Sequence, residues 1–66
     1  MANYNFKIEG INRVTGYMYE PSKFTDENKF NAAVLLFCTI CSTVFLYKKV
    51  SGKWKQTLII KPVKVA

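Results

Sequence analysis

FNAAVLLFCTICSTVFLY, residues 30–47, contains no charged side chain, and Lys48 and Lys49 follow it directly. Read as one helix, it is almost long enough to cross a bilayer, which takes about 20 apolar residues. Read as a helix that stops near Ser42 and a strand that starts near Thr43, it is the core of a small α+β domain. The spacing favours the second reading. Phe30, Ala33, Val34, Phe37, Cys38 and Cys41 recur at helical intervals and form one apolar face. The opposite stripe is Asn28, Asn31, Leu35, Thr39 and Ser42, polar except for Leu35, with Leu36 beside it. A helix facing lipid has no need of that polar stripe. From Thr43 onward the apolar period changes to that of a strand.

Upstream, Thr25 is placed to cap the helix, with Asp26 and Glu27 in a first turn where the macrodipole favours acids. Farther back, residues 3–11 alternate, with Tyr4, Phe6 and Ile8 on one face and Asn5, Lys7 and Glu9 on the other. Asn12-Arg13-Val14-Thr15-Gly16 reads as a turn with Gly16 at positive φ. Tyr17-Met18-Tyr19 reads as a second strand ended by Pro21 and Ser22. Downstream, residues 43–50 and 53–61 form a hairpin around Ser51-Gly52, rich in β-branched and aromatic residues and closed by Pro62. The order is β-β-α-β-β. Sixty-six residues make a single domain, a four-stranded antiparallel sheet with one helix on one face.

The helix can cover only one face of such a sheet. A two-residue Ser51-Gly52 turn would send Phe45, Tyr47 and Trp54 to the core and leave the lysines with Val44, Leu46 and Ile59 on the open face. Serine tolerates positive φ poorly, so a three-residue loop, Val50-Ser51-Gly52, is the expected turn. That register opposes Lys49 to Lys53 and Tyr47 to Lys55. It directs Val44, Leu46, Trp54, Leu58 and Ile60 to the helix. Phe45, Tyr47, Lys49, Lys53, Lys55, Thr57, Ile59 and Lys61 are left on the open face, with Tyr17 and Tyr19 extending it from the second strand. Rings stack on bases and ammonium groups meet phosphates, so this mixture suits single-stranded DNA or RNA.

The charge points the same way. Ten basic residues against four acids give a net charge of +6, and Lys48, Lys49, Lys53, Lys55, Lys61 and Lys64 cluster at the end of the chain. An anionic partner fits this balance. Lysine outnumbers arginine heavily, Arg13 being the sole arginine, and the composition leans to AT-rich codons. A phage or bacterial accessory protein would show that bias.

Catalytic chemistry finds few candidates. There is no histidine, no glycine-rich phosphate loop and no serine motif. Cys38 and Cys41 match C-x-x-C, but they fall at the end of the helix, where the dipole disfavours a thiolate. They read as small buried hydrophobes, and no metal site or cofactor is expected. The expectation is a non-enzymatic binding module, with nucleic acid as first partner. A protein partner, met through Leu35, Leu36 or the sheet, is the alternative. A membrane peptide spanning 30–47 ranks third. Marginal burial in so short a chain leads us to expect a homodimer. Residues 1–6 lack a basic segment followed by an apolar run, and the two thiols suit a reducing environment, so the expected compartment is the cytoplasm.

Overall fold

The computed structural model describes residues 4–62; Asn3 and Lys64 lie outside them. The elements are β1 (Phe6–Asn12), β2 (Ser22–Phe24), α1 (Glu27–Ile40), β3 (Cys41–Val50) and β4 (Lys53–Ile60). They build one antiparallel sheet in the order β2-β1-β3-β4 with the helix on one side, the expected β-β-α-β-β architecture. Residues 30–47 divide between α1 and β3. Among the described residues, no helix is long and apolar enough to cross a membrane.

The core lies between α1 and the sheet. Phe30 and Phe37 are buried on the helix, one stretch apart on its predicted face, against Ile8, Cys41, Val44 and Leu46. Phe6 of β1 stacks on Phe30 with ring centroids 4.9 Å apart, and Phe24 of β2 closes on the same ring. The helix packs on β1, β3 and β2, which leaves β4 largely outside its cover. Leu58 accordingly remains 53% exposed although it shares the helix side of the sheet.

Several local expectations are corrected. Asp26, not Thr25, caps the helix, accepting from the Asn28 backbone N–H at 2.8 Å. Aspartate is a strong N-cap acceptor, and its charge also meets the dipole. The second strand is Ser22–Phe24 rather than residues 17–19, where only Met18 bridges to Ile11. Pro21 has no N–H to donate, so pairing lapses around it and resumes beyond it on the same edge of β1. The intervening loop is ordered by Asn12, whose side chain accepts from the Val14 and Thr15 amides and donates to the Tyr19 hydroxyl. Gly16 has the expected positive φ of 78°.

The final hairpin differs in register. Ser51 and Gly52 both have positive φ, 51° and 78°, and Val50 pairs with Lys53. This is a two-residue turn of the I′ kind, whose twist matches that of the flanking strands; serine accepts the strained position for it. Continued regularly, this ladder would turn Leu58 and Ile60 away from the helix. A bulge prevents that: Tyr47 pairs with Gln56 while Leu46 pairs with Leu58, and Thr57 is the extra residue. The Thr57 hydroxyl donates to the Leu46 carbonyl at 3.3 Å.

The helix also ends earlier than Ser42. Cys41 is already extended (φ −113°, ψ 147°) while its N–H still donates to the Phe37 carbonyl, so α1 runs into β3 with no connecting residue. Arg13 completes this junction. Its backbone N–H donates to Ile40 O at 3.1 Å, and its Nη2 donates to Cys41 O at 3.0 Å and Cys38 O at 3.4 Å. Close approach is possible because Gly10 of β1 lies beneath. A Cβ on Gly10 would sit 2.5 Å from Cys41 Sγ and 2.9 Å from Phe37.

Two outcomes follow from this junction. Arg13→Ala should destabilise the fold by about 1.5–3 kcal/mol, the range for hydrogen bonds made by a charged group, and Arg13→Lys should recover only part of the loss, lacking the planar fork. Equal stability of all three proteins in urea would refute the capping role. Gly10→Ala should cost about 1–3 kcal/mol or more through overpacking. Adding Cys41→Ala should restore part of that, so a double-mutant cycle with no coupling would contradict the contact.

Candidate nucleic-acid interface

Alternation along each strand sorts the side chains between the covered and the open face. Val44 and Leu46 are buried beneath α1, so Phe45, Tyr47 and Lys49 of β3 point the other way. Their cross-strand partners go with them: Glu9 and Ile59 beside Phe45, Lys7 and Gln56 beside Tyr47, and Trp54 beside Lys49. Lys23, paired with Lys7, carries the row out to β2. One end of the open face is therefore aromatic and basic. The other end, at Ile11 and Met18, is apolar.

The aromatic and basic groups are interleaved in space. Lys7 Nζ lies 4.4 Å from the Tyr47 ring centroid and 5.1 Å from that of Trp54, and Lys49 Nζ lies 4.8 Å from Trp54. These are cation–π distances. Glu9 is the acid on this face. The Tyr47 phenol is pushed above its ordinary value, first by hydrogen bonding to Glu9, then by burial and by the Glu9 charge. Tyr47 therefore stays a neutral, ring-bearing donor across the physiological range.

The expected site is thus partly assembled and partly redistributed. Phe45, Tyr47 and Lys49 stand together on the open face, as does Ile59. Lys53 and Lys55 do not join them. They pair with Val50 and Lys48, on the helix side of the hairpin. Trp54 takes the opposite side and is half-buried on the open face rather than in the core. The two-residue turn explains both changes, because it inverts residues 53–56 relative to the three-residue loop. Tyr19 is on the helix side, its ring 5.9 Å from that of Phe37, and Tyr17 is an exposed loop residue. Lys61 is exposed just past β4. Leu35 and Leu36 lie on the outer surface of α1, 73% and 58% exposed.

Lys7, Lys23 and Trp54 are additions to the expected site. Lys7 was within reach of the sequence, since β1 alternation already set it opposite Phe6 and Ile8. Lys23 was hidden by the misplaced second strand, and Trp54 by the turn. Among the described residues there is no group of three or more metal-ligating side chains and no cavity. Comparison with family models, curated proteins and solved structures found no match to this chain.

The two cysteines are free thiols, Cys41 buried and Cys38 partly so. Burial pushes the Cys41 thiol above its usual range, the neighbouring Cys38 adds to this, and Arg13 opposes it. A raised value keeps the sulfur protonated and unreactive near neutrality. In the native protein a thiol alkylating agent should modify Cys38 well before Cys41, with Cys41 labelled on unfolding. Equal labelling rates in the native state, read by mass spectrometry, would contradict this placement.

Proposed function

We propose that the chain is a small non-enzymatic module that binds single-stranded nucleic acid on its open sheet face. One observation carries the reading: Tyr47 and Trp54 lie side by side on an uncovered face, each with a lysine ammonium within about 5 Å of its ring. Such a face offers stacking platforms for bases and ammonium partners for phosphates. The energies favour exchange. An exposed cation–π contact is worth about 0.5–1 kcal/mol, whereas base–aromatic stacking is worth about 1–3 kcal/mol. A base can displace Lys7 or Lys49 from the rings, and the freed ammonium groups can then pair with phosphate. Lys23 supplies a third cation in the same row. The half-buried Phe45 continues the aromatic surface toward the middle of the sheet.

A protein-binding reading rests on a different surface, the exposed Leu35 and Leu36 of α1. Apolar association of that kind is nearly independent of salt, whereas phosphate binding weakens as counterions are released.

Trp54 is the only tryptophan, so its fluorescence reports on this face alone. Single-stranded oligonucleotides at low salt should quench it, and log affinity should fall with log salt with a slope of about −2, for about three phosphate contacts. Tyr47→Ala should weaken binding by about 1–3 kcal/mol with the slope unchanged, and Lys7→Ala should reduce the slope by about 0.7. Absence of quenching at low salt, or binding indifferent to both substitutions, would leave the open face without this role.

A further inference from the structure

The two-residue turn gives the hairpin end two basic faces. Lys49 stands on the open side with Trp54, and Lys48, Lys53 and Lys55 stand on the helix side. No acidic residue occurs anywhere in β3, the turn or β4. The helix leaves this region bare, and Lys48, Lys53 and Lys55 are all exposed. The apex is Ser51-Gly52, small and polar, with nothing bulky to hold a partner away. A single strand lying flat on the open face meets Lys49 and leaves the lysines on the reverse side without a partner, unless it wraps the β4 edge. A partner that presents phosphates to both sides at once is a groove between two backbones. The major groove of a duplex is about 12 Å wide and admits a two-stranded β-ribbon.

Resting on the proposed single-strand reading, we propose that the full ligand is a junction between single and double strand. The open face takes the unpaired strand through Tyr47 and Trp54. The hairpin end enters the adjoining duplex groove, with Lys53 and Lys55 contacting phosphates on the side away from Trp54. Charge complementarity commits this surface to nucleic acid. Its division between two faces selects a ligand with two backbones.

Fluorescence anisotropy tests this on the whole chain with three labelled DNA probes: a single strand, a blunt duplex, and that duplex carrying the same single strand as an overhang. The overhang probe should bind tighter than the single strand by about tenfold or more and with a steeper salt slope, by about 0.9 for each added duplex phosphate. The variant Lys53→Ala/Lys55→Ala, confirmed folded by circular dichroism, should lose that gain. Its affinity for the single strand, and the accompanying Trp54 quenching, should match the wild type. Equal wild-type affinity for the overhang probe and the single strand would overturn the junction while leaving the single-strand reading intact. Equal losses on both probes in the variant would also overturn it, because the strand would then wrap the β4 edge and use both faces itself. No binding to any probe would overturn the junction and the single-strand reading together.

Discussion

Helix α1 passes into strand β3 without a connecting residue, so its last carbonyls must find donors inside the fold. Leaving such groups unpaired against a packed surface is costly. Nearly every one is accounted for. The Thr39 hydroxyl donates to Leu36 O, the Cys41 N–H to Phe37 O, the Arg13 guanidinium to Cys38 O and Cys41 O, and the Arg13 N–H to Ile40 O. No basic residue occupies the last turn of the helix itself. A side chain from the β1–β2 loop supplies the positive charge that the helix terminus favours. In a chain that otherwise uses lysine for every cation, arginine stands where one planar group must reach two carbonyls. The junction in turn fixes where β3 begins, which residues of β3 face the helix, and which are left for the open side.

The same constraint explains why Gly10 is in β1. The abrupt change from helix to strand brings Cys41 and Phe37 down onto the sheet at one point, and only a residue without a side chain leaves room. Capping Arg13 and strand Gly10 are thus near neighbours in sequence that serve one structural purpose. They hold the two halves of the apolar stretch at a fixed angle, so that a short chain with a small core still presents an ordered outer sheet face.

The strongly periodic parts of the fold were legible from the residues alone. Phe30, Val34, Phe37 and Cys38 repeat at helical spacing over a long enough stretch to define a face, and Val44 and Leu46 alternate with Phe45 and Tyr47 as a strand requires, although both sides of that alternation are apolar. Element order and the existence of an open face follow from these. The illegible parts depended on single backbone decisions. Pro21 looked like the end of a strand and instead precedes one, because a residue without a donor can still be passed by an edge strand. Ser51 looked unsuited to positive φ, yet strand twist outweighs that local cost. Each small decision moved side chains across the sheet: Trp54 out to the open face, Lys53 and Lys55 to its reverse. Of the proposed site, Phe45, Tyr47 and Lys49 could be read in advance as sharing one face of β3; that this face is the open one rests on the burial of Val44 and Leu46 on the other.

The extra residue at Thr57 has a consequence for descent as well as for shape. If Thr57 were deleted, Gln56 and Leu58 would become consecutive opposite Tyr47 and Leu46, the pairs they already form. Every remaining residue of β4 would keep its face, and the ladder would become regular. A relative one residue shorter at this point would therefore share the whole surface described above while differing in the even–odd pattern of its last strand. Alignment by alternation alone would set its tryptophan in the wrong column. Kinship in this hairpin is carried by which residues oppose one another across the strands, and chain length can drift around it.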